Sequence, residues 1–255
     1  MKIKKYSIIL IAIIVCMGTT VKAQHTIDGF GSKLDFHVML GGKIGGAAPL
    51  SLPREIRKIK SYHPNVPFFV GARANYHIDS SWGLSLGLTF EGKGMDTEAN
   101  VKGYKTTFNA VNDAKEELRG YYTGDITTKV HNLYLSIPVQ ATYQISNRWN
   151  VQAGPYISFA VKKEFYGEAY NGYLRHEQPT GNKIIVDNAD YDFAESIRSV
   201  DVGMSLGAHY AINQKFFGLA QVDYGFNNIM QTGFESISFG LHNIFMNVGV
   251  GYKLK

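Results

Sequence analysis

The sequence predicts an all-β fold, an eight-stranded antiparallel up-and-down transmembrane β-barrel. Eight stretches alternate between apolar and polar residues with a period of two, which is typical of strands with one apolar side. Each stretch has an aromatic residue at the same end, next to a short turn or a terminus. These residues are Phe36, Tyr76, Trp82, Tyr143, Trp149, Tyr210, Phe216 and Tyr252. A girdle of aromatic side chains at one height, continuous with an apolar band, is typical of a membrane–water boundary.

Residues 1–23 have the features of a signal peptide. Lys2, Lys4 and Lys5 precede an apolar run over about residues 6–17, and Val21-Lys22-Ala23 resembles a cleavage site. The apolar run is shorter than the roughly 20 residues that a transmembrane helix needs. We therefore expect export, cleavage near Ala23 and a barrel domain over residues 24–255.

Removal of this leader would leave a nearly neutral chain without cysteine. The leader contains four of the 26 Lys and Arg residues and none of the 21 Asp and Glu residues. The basic isoelectric point therefore gives no support for nucleic-acid binding. Cys16 is the single cysteine, and the bulky Val15 before it argues against a lipoprotein signal. A chain without Cys16 has no disulfides and no thiolate metal sites.

The first three strands are predicted over residues 36–43, 68–78 and 82–90. In the first strand, His37 and Lys43 lie on the polar side. The second and third strands flank the polar residues 79–81. A short polar turn between two alternating stretches indicates a β-hairpin.

The remaining five strands are predicted over residues 132–145, 149–161, 202–212, 216–226 and 244–254. Short turns at 146–148 and 213–215 indicate two more hairpins. Pro138 and Pro155 each remove a backbone donor, so we expect a bulge or a missing hydrogen bond at both. Phe217 and Leu219 interrupt the polar side of the seventh strand.

Four long connections, near residues 45–65, 92–129, 163–199 and 228–240, lie opposite the short turns. Outer-membrane barrels show this alternation of short turns and long surface loops. The third connection is rich in acidic residues and tyrosines, and its segment 170–175 has the composition of a recognition surface. The alternative is that these charges only solvate a mobile loop.

The alternation alone leaves open which side of the barrel is apolar. A soluble lipocalin-like barrel would turn its apolar side inward around a ligand. The aromatic girdle, the alternating loop lengths and the glycine-rich polar side favour a transmembrane barrel with a narrow interior. Phe68, Phe90, Phe159 and Phe226 lie 8 to 10 residues from the first girdle. This spacing fits the roughly 9 to 11 residues of a tilted membrane strand and predicts a second girdle.

Four charged residues on the polar side, Arg73, Glu91, Asp201 and Asp223, are predicted to form a structural network in the barrel interior. His77 and His209 are further candidates for this interior. The functional alternative is a path for protons or solutes. An eight-stranded barrel is just wide enough for its own side chains, and buried charges persist by pairing. We therefore expect a packed interior without a channel.

Several segments carry a family resemblance: the leader end near Ala23-Gln24, segments 133–139 and 153–158, Asp201-Val202-Gly203 with Gly207, and the closing 249–254. In these segments the chain resembles the PorT-like outer-membrane β-barrel family, whose members have an outer membrane protein β-barrel domain. The resemblance implies a barrel in the Gram-negative outer membrane. A founding member of that family is implicated in protein secretion across the outer membrane, whereas most members have no assigned activity.

The sequence predicts a structural or interaction role, linked to secretion or envelope assembly, with outer-membrane lipid and protein partners of such a complex. One alternative is a protein whose surface loops bind an extracellular ligand. Another is a lipid-modifying enzyme that uses Ser238 and His242, although no G-x-S-x-G, H-E-x-x-H or phosphate-loop pattern is present. We therefore predict no enzymatic activity, catalytic residue, cofactor, metal or nucleic-acid partner.

Overall fold

The computed structural model describes residues 33–65, 67–111 and 117–254, so the predicted signal peptide lies outside the described residues. The prediction of an all-β antiparallel fold is confirmed. The described residues form twelve strands and one 3-10 turn, Ala194–Ser196. The strands are β1 Leu34–Ala48, β2 Ile56–His63, β3 Phe68–His77, β4 Trp82–Phe108, β5 Ala110–Val111, β6 Leu118–Gln144, β7 Trp149–Lys162, β8 Phe165–His176, β9 Lys183–Asp192, β10 Val200–Ala211, β11 Phe216–Gly225 and β12 His242–Lys253.

Eight strands pair antiparallel in a closed ring, and they coincide with the eight alternating stretches of the sequence. Around the ring the order is β1, β3, β4, β6, β7, β10, β11 and β12, and β12 pairs with β1. The apolar side faces outward, since Leu86 is 55% exposed and Val248 is 50% exposed. The polar side faces the interior, where Ser158, Asp201 and Asn247 are buried.

The three short turns lie at one end of the ring, which we call the turn end. Asp79 Oδ1 accepts hydrogen bonds from the backbone N–H of Ser81 and Trp82, both at 2.8 Å. Asn213 Oδ1 accepts from Lys215 at 2.9 Å and from Phe216 at 2.8 Å. These local side-chain bonds replace backbone pairing in the turn, which is why Asp and Asn occupy these positions.

The two prolines interrupt the ladder where their missing donors would pair. β4 and β6 pair from Trp82↔Tyr143 to Leu86↔Val139 and resume at Thr89↔Ser136, and the gap lies at Pro138. β6 and β7 pair up to Pro138↔Tyr156 and resume at Ala141↔Ala153, with Pro155 in the gap. The ring tolerates these gaps because the strands remain paired on both sides of them.

The interior contains an apolar cluster of Met39, Phe69, Phe217 and Leu219. Phe217 and Leu219, which interrupt the alternation in the sequence, therefore point inward. A side chain at Gly251 would overlap the Phe217 ring, and one at Gly249 would lie 2.8 Å from Phe69 Cζ. Gly249 and Gly251 thus leave room for the Phe69 and Phe217 side chains inside the narrow interior of the barrel-like ring of strands.

The long connections differ from the predicted loops, because three of the four contain strands. β4 and β6 each have 27 residues and remain paired up to Phe108↔Leu118. β8 pairs with both β6 and β9, β5 pairs with β9, and β2 pairs with β4. We call the described residues of 45–65, 94–131, 163–199 and 228–241 the head. Its strands continue the walls of the ring beyond the end opposite the turns.

The head has a hydrophobic core of its own, to which all four connections contribute. Its buried residues are Ala47, Ala99, Val101, Tyr104, Phe108, Tyr122, Ile126, Val130, Phe165, Ala169, Leu174, Val186, Ala189, Tyr191, Phe193, Ile197, Ile229, Met230, Ile237 and Leu241. Full burial of one such large side chain contributes about 1.5–3 kcal/mol. The fourth connection carries no strand, but its apolar residues cover the open side of this core.

Apolar side chains of the long strands point outward in the ring and inward in the head. In β6, Tyr122, Ile126 and Val130 are buried inside the head, whereas the ring residue Val139 is exposed on the outside. Apolar residues therefore shift from even to odd positions near residue 131. This inversion interrupts the period-two pattern, so the continuous strand β6 reads in the sequence as a loop followed by a strand. No helix in the described ranges is long and apolar enough to cross a membrane.

Candidate functional site

The four predicted interior residues are buried inside the ring, together with two lysines. Lys43 and Lys93 are 0% and 2% exposed. The sequence placed Lys43 on the polar side without assigning it a role. It missed Lys93, because this residue falls in a segment expected to be a loop.

The two lysines join the three acids into one chain of ion pairs. Lys43 Nζ contacts Glu91 and lies 3.2 Å from Asp223 Oδ2. Lys93 Nζ lies 2.8 Å from Asp201 Oδ2 and 3.4 Å from Glu91 Oε1. Two cations thus face three carboxylates. Such a buried cluster is stable only if hydrogen bonds satisfy the remaining acceptors.

Hydroxyl and amide groups from three strands, β6, β10 and β12, supply many of these hydrogen bonds. Ser136 donates to Glu91 at 2.6 Å, and Ser205 and Asn247 donate to Asp223 at 2.7 Å. Asn243 donates to Asp201 at 3.0 Å. The network therefore holds strands on opposite sides of the ring in one arrangement.

Arg73 contacts glutamines rather than carboxylates. Its guanidinium donates to Gln140 and Gln152, and to Gln221 Oε1 at 2.9 Å. Gln221 in turn donates to Asp223 Oδ1 at 2.7 Å. Arg73 is thus connected to the acidic residues through an amide.

Replacement of Arg73 by alanine is expected to lower thermal stability without opening a conducting path. The change leaves the Gln140, Gln152 and Gln221 side-chain oxygens without their common donor, at a cost of about 1–3 kcal/mol. The midpoint of heat modification on gels measures the stability, and planar bilayers measure conductance. Arg57→Ala, at an exposed position of β2, is the control. A gain of ion flux in Arg73→Ala would contradict the packed interior.

The interior cavity beside this network is small. It has a volume of about 30 Å³ and is lined by Arg73, Glu91, Tyr156 and Asp223 among others. This volume holds roughly one or two water molecules. Over the described residues, the interior is filled by its own side chains.

The two candidate histidines lie at the turn end of the ring. His77 is exposed, and its Nε2 lies 2.8 Å from Asp35 Oδ2. His209 contacts Gln152 and stacks on Phe217 with 4.6 Å between the ring centroids. Neither residue belongs to the chain of ion pairs.

The predicted first girdle forms three cross-strand aromatic pairs at the turn end. Trp82 pairs with Tyr143, Trp149 with Tyr210, and Phe216 with Tyr252, at centroid distances of 4.8, 5.0 and 5.1 Å. Each pair lies directly opposite in the strand register. Phe36 and Tyr76 lie at the same end, on the neighbouring strands β1 and β3.

The predicted second girdle lies where the ring meets the head. Phe68 and Phe90 are in contact at 5.9 Å, and Phe226 packs on Tyr224 at 5.7 Å. Phe159 is exposed on the outside of β7. The apolar outer surface of the ring is therefore bounded by aromatic residues at both ends.

The outer surface of the head carries a polar cluster built on β2, β4, β6 and β8. Lys60 Nζ lies 2.8 Å from Asp125 Oδ2 and 3.2 Å from Glu98 Oε1. Tyr170 Oη donates to Glu98 Oε1 at 2.7 Å, and Asn100 Nδ2 donates to Asp125 at 2.8 Å. The Tyr170 hydrogen bond, followed by that of Lys60, lowers the pKa of Glu98. The Asn100 and then the Lys60 hydrogen bonds lower the pKa of Asp125.

Acid is expected to loosen this cluster. A carboxylate whose pKa is lowered in the folded state binds protons more tightly after unfolding, so its contribution to stability disappears as the pH falls. The contribution of Glu98 and Asp125 is complete above their ordinary pKa values of 4.5 and 3.8 and is lost below them. Limited proteolysis of the head between pH 6 and pH 3 measures the change. Tyr170→Phe should reduce this pH dependence, and an unchanged profile would contradict the role of the cluster.

The residues of the enzymatic alternative have other contacts. His242 Nδ1 hydrogen-bonds with Gly225 O at 3.0 Å, and its ring stacks on Tyr224 at 6.2 Å. Ser238 is exposed in the fourth connection. Within the described ranges, no group of three His, Cys, Asp or Glu side chains is placed to hold a metal ion.

Comparison with known proteins identifies one matching family. The model of the family described as outer membrane protein beta-barrel domain matches residues 22–231. No curated protein matches the sequence.

Several solved structures match this chain at low sequence identity. The attachment invasion locus protein Ail of Yersinia pestis, in complex with the heparin analogue sucrose octasulfate, is 10% identical and has a TM-score of 0.36. The match covers 87% of this chain and 97% of that chain. The outer membrane protein OprG from Pseudomonas aeruginosa is 14% identical and has a TM-score of 0.36. Its match covers 86% of this chain and 95% of OprG. The toluene transporter TbuX of Ralstonia pickettii is 9% identical and has a TM-score of 0.20. Its match covers 86% of this chain and 89% of TbuX. All three TM-scores lie below 0.5, and no property of these proteins is assigned to this chain on the strength of the match.

Proposed function

Because the chain belongs to the outer membrane protein β-barrel domain family, we propose that its ring crosses the outer membrane as an eight-stranded up-and-down barrel and presents the head for recognition at the cell surface. In this proposal the turn end faces the periplasm and the head faces outward. The protein acts as a membrane anchor for a binding surface. This role requires no catalytic centre, cofactor or nucleic acid.

The outer surface of the ring supports the membrane-spanning part of the proposal. Exposed Leu, Val, Ile and Met residues cover it, with aromatic residues at both ends. An apolar band of this kind is stable in hydrocarbon and unstable in water. A soluble ligand-binding barrel would instead have an apolar interior, whereas this interior contains Lys43, Glu91 and Lys93.

The hydrophobic core of the head is the observation that carries the recognition role. Loops that only connect membrane strands have no need of buried Phe108, Tyr122 and Leu174. A folded core instead fixes the surface residues of the head in one arrangement, which lowers the entropic cost of binding a partner. The filled interior argues against transport through the ring as the main activity.

Site-specific photo-crosslinking in native membranes tests the proposal. A crosslinker at the exposed head positions Tyr166 and Ile185 should capture a partner or ligand, whereas one at Ser80, in a turn, should not. Capture from the head should disappear when the head core is broken by Phe108→Ala. Capture from Ser80 alone would contradict the recognition role.

Capture from Ser80 alone would favour a second proposal, in which the protein is a component of a secretion or envelope-assembly complex. The periplasmic turns would then be its contact surface. Membership in the PorT-like subgroup belongs to this second proposal. Deletion of residues 166–192 is a poor test of either role. The deletion would remove Leu174, Val186 and Tyr191 from the core and unfold the head.

A further inference from the structure

A polar cleft lies on the head between the ends of β4 and β6 and the fourth connection. Its volume is about 420 Å³. Hydroxyl groups of Thr107, Ser196, Thr232 and Ser236 line it, together with the amide of Gln231. The cleft shares no residue with the interior network or with the Lys60 cluster. It is within the size range of small-molecule sites.

The side chains of the cleft are held in place by contacts behind them. Thr107 Oγ1 and Ser236 Oγ are hydrogen-bonded at 2.9 Å, which joins β4 to the fourth connection. Gln231 Nε2 donates to Glu195 O at 2.9 Å and to Ile197 O at 3.2 Å. The polar groups are therefore positioned before any ligand arrives.

The charges of the cleft balance one another. Glu235 contacts Arg119 and lies 3.4 Å from Lys105 Nζ. Its hydrogen bond from Arg119 lowers the pKa of Glu235, so the carboxylate is ionised at neutral pH. Glu117 adds a second carboxylate to the lining. Glu117, Glu235 and Arg119 line the cleft, and Lys105 lies beside it, so these two acids and two bases give no net charge around the cleft. A balanced charge disfavours polyanions and polycations alike.

One aromatic side chain, Phe234, lines the cleft and packs edge-on against the core residue Phe193, with 5.0 Å between ring centroids. Beside it, Gly233 has a φ of 89°, and open space surrounds the position that a side chain would occupy. An L side chain is strained in this conformation. The glycine thus sets the turn that places Phe234 at the cleft.

We propose that this cleft binds a neutral, polyhydroxylated glycan, an inference that rests on the proposed recognition role of the head. Vicinal hydroxyls of a sugar both donate and accept, and they match a wall of hydroxyl, amide, guanidinium and carboxylate groups. The apolar C–H face of a sugar ring packs on an aromatic side chain such as Phe234. An apolar ligand would leave most of these polar groups without hydrogen-bond partners, which would lower the free energy gained on binding.

The test uses the folded full-length protein in detergent micelles and an array of defined neutral, carboxylated and sulfated oligosaccharides. Neutral oligosaccharides should bind, with little dependence on salt concentration. Arg119→Ala and Thr107→Val should each weaken binding, the former by roughly tenfold or more, because a charge-assisted hydrogen bond is lost. Arg57→Ala, at another exposed arginine, on β2, should bind like the unmodified protein. Heat modification on gels verifies that each variant is folded.

Three outcomes would overturn the inference. Binding confined to sulfated or carboxylated sugars and abolished by salt would show a charge-driven contact instead. Equal losses in Arg57→Ala and Arg119→Ala would place the site elsewhere. Absence of glycan binding would also overturn it. If photo-crosslinking from Tyr166 or Ile185 still captures a protein, the recognition role stands and its ligand is a polypeptide. If that capture fails as well, both proposals fail.

Discussion

Replacement of Lys93 by methionine is expected to destabilise the folded ring by about 3–5 kcal/mol, which is the usual result of removing one partner from a buried ion pair. Lys93 neutralises Asp201 and Glu91, and its ammonium also lies over the Tyr134 and Tyr156 rings at 4.9 and 4.7 Å. Methionine fills a similar volume but leaves Asp201 without a cation. Urea unfolding in detergent, followed by tryptophan fluorescence and heat modification, measures the loss.

A second substitution separates charge from packing. Lys93→Met combined with Asp201→Asn removes both charges of the Lys93–Asp201 pair, while Lys43 still neutralises Glu91. This double variant should regain much of the lost stability, since replacement of a whole buried pair by neutral groups is often nearly neutral. Lys58→Met, at an exposed position, should change stability by less than about 0.5 kcal/mol. A double variant as unstable as the single one would show that the ammonium acts through packing alone.

Replacement of Phe108 by alanine is expected to unfold the head while the ring remains folded. Phe108 is fully buried and contacts the rings of Tyr122 and Tyr191 at 5.3 and 6.4 Å. Truncation of a buried Phe costs about 3–5 kcal/mol, because transfer and cavity terms add. The head is the less constrained part, since ion pairs and a closed set of strand pairings hold the ring. Local unfolding therefore starts in the head.

Limited proteolysis with mass spectrometry measures this effect. Cleavage should appear within residues 94–131 and 163–199 of Phe108→Ala, while the ring stays resistant and heat-modifiable. Phe159→Ala is the matched control, because this ring residue is exposed on the apolar outside of β7. Simultaneous loss of the head and of heat modification in Phe108→Ala would show that both parts unfold as one cooperative unit.

The ring could be predicted from the sequence because its signals are local. Alternation shows which side of a strand is apolar, and Asp79 and Asn213 indicate the turns through bonds to backbone groups two and three residues away. The inward direction of Arg73, Glu91, Asp201 and Asp223 follows from the same alternation. Their partners do not follow, because Lys43–Asp223 and Lys93–Asp201 join residues 180 and 108 positions apart.

The head could not be predicted, because its strands obey a different rule from those of the ring. In the ring, apolar side chains point away from a polar interior. In the head the same strands turn apolar side chains inward, as Tyr122 and Val130 show. The resulting phase change near residue 131 resembles the end of a strand when only the sequence is read. The polar cleft was missed for a related reason, since it joins Thr107 and Arg119 to a connection more than a hundred residues away.

The sequence by itself determined the antiparallel strands, their turns, the apolar outside and the aromatic residues at both ends, because each depends on neighbours within one strand or hairpin. The tertiary structure alone decided which lysines neutralise the buried acids, how four connections share one hydrophobic core, and where the polar cleft lies. Those features depend on contacts between distant strands, and closure of the ring brings such strands together without leaving a repeating pattern in the chain.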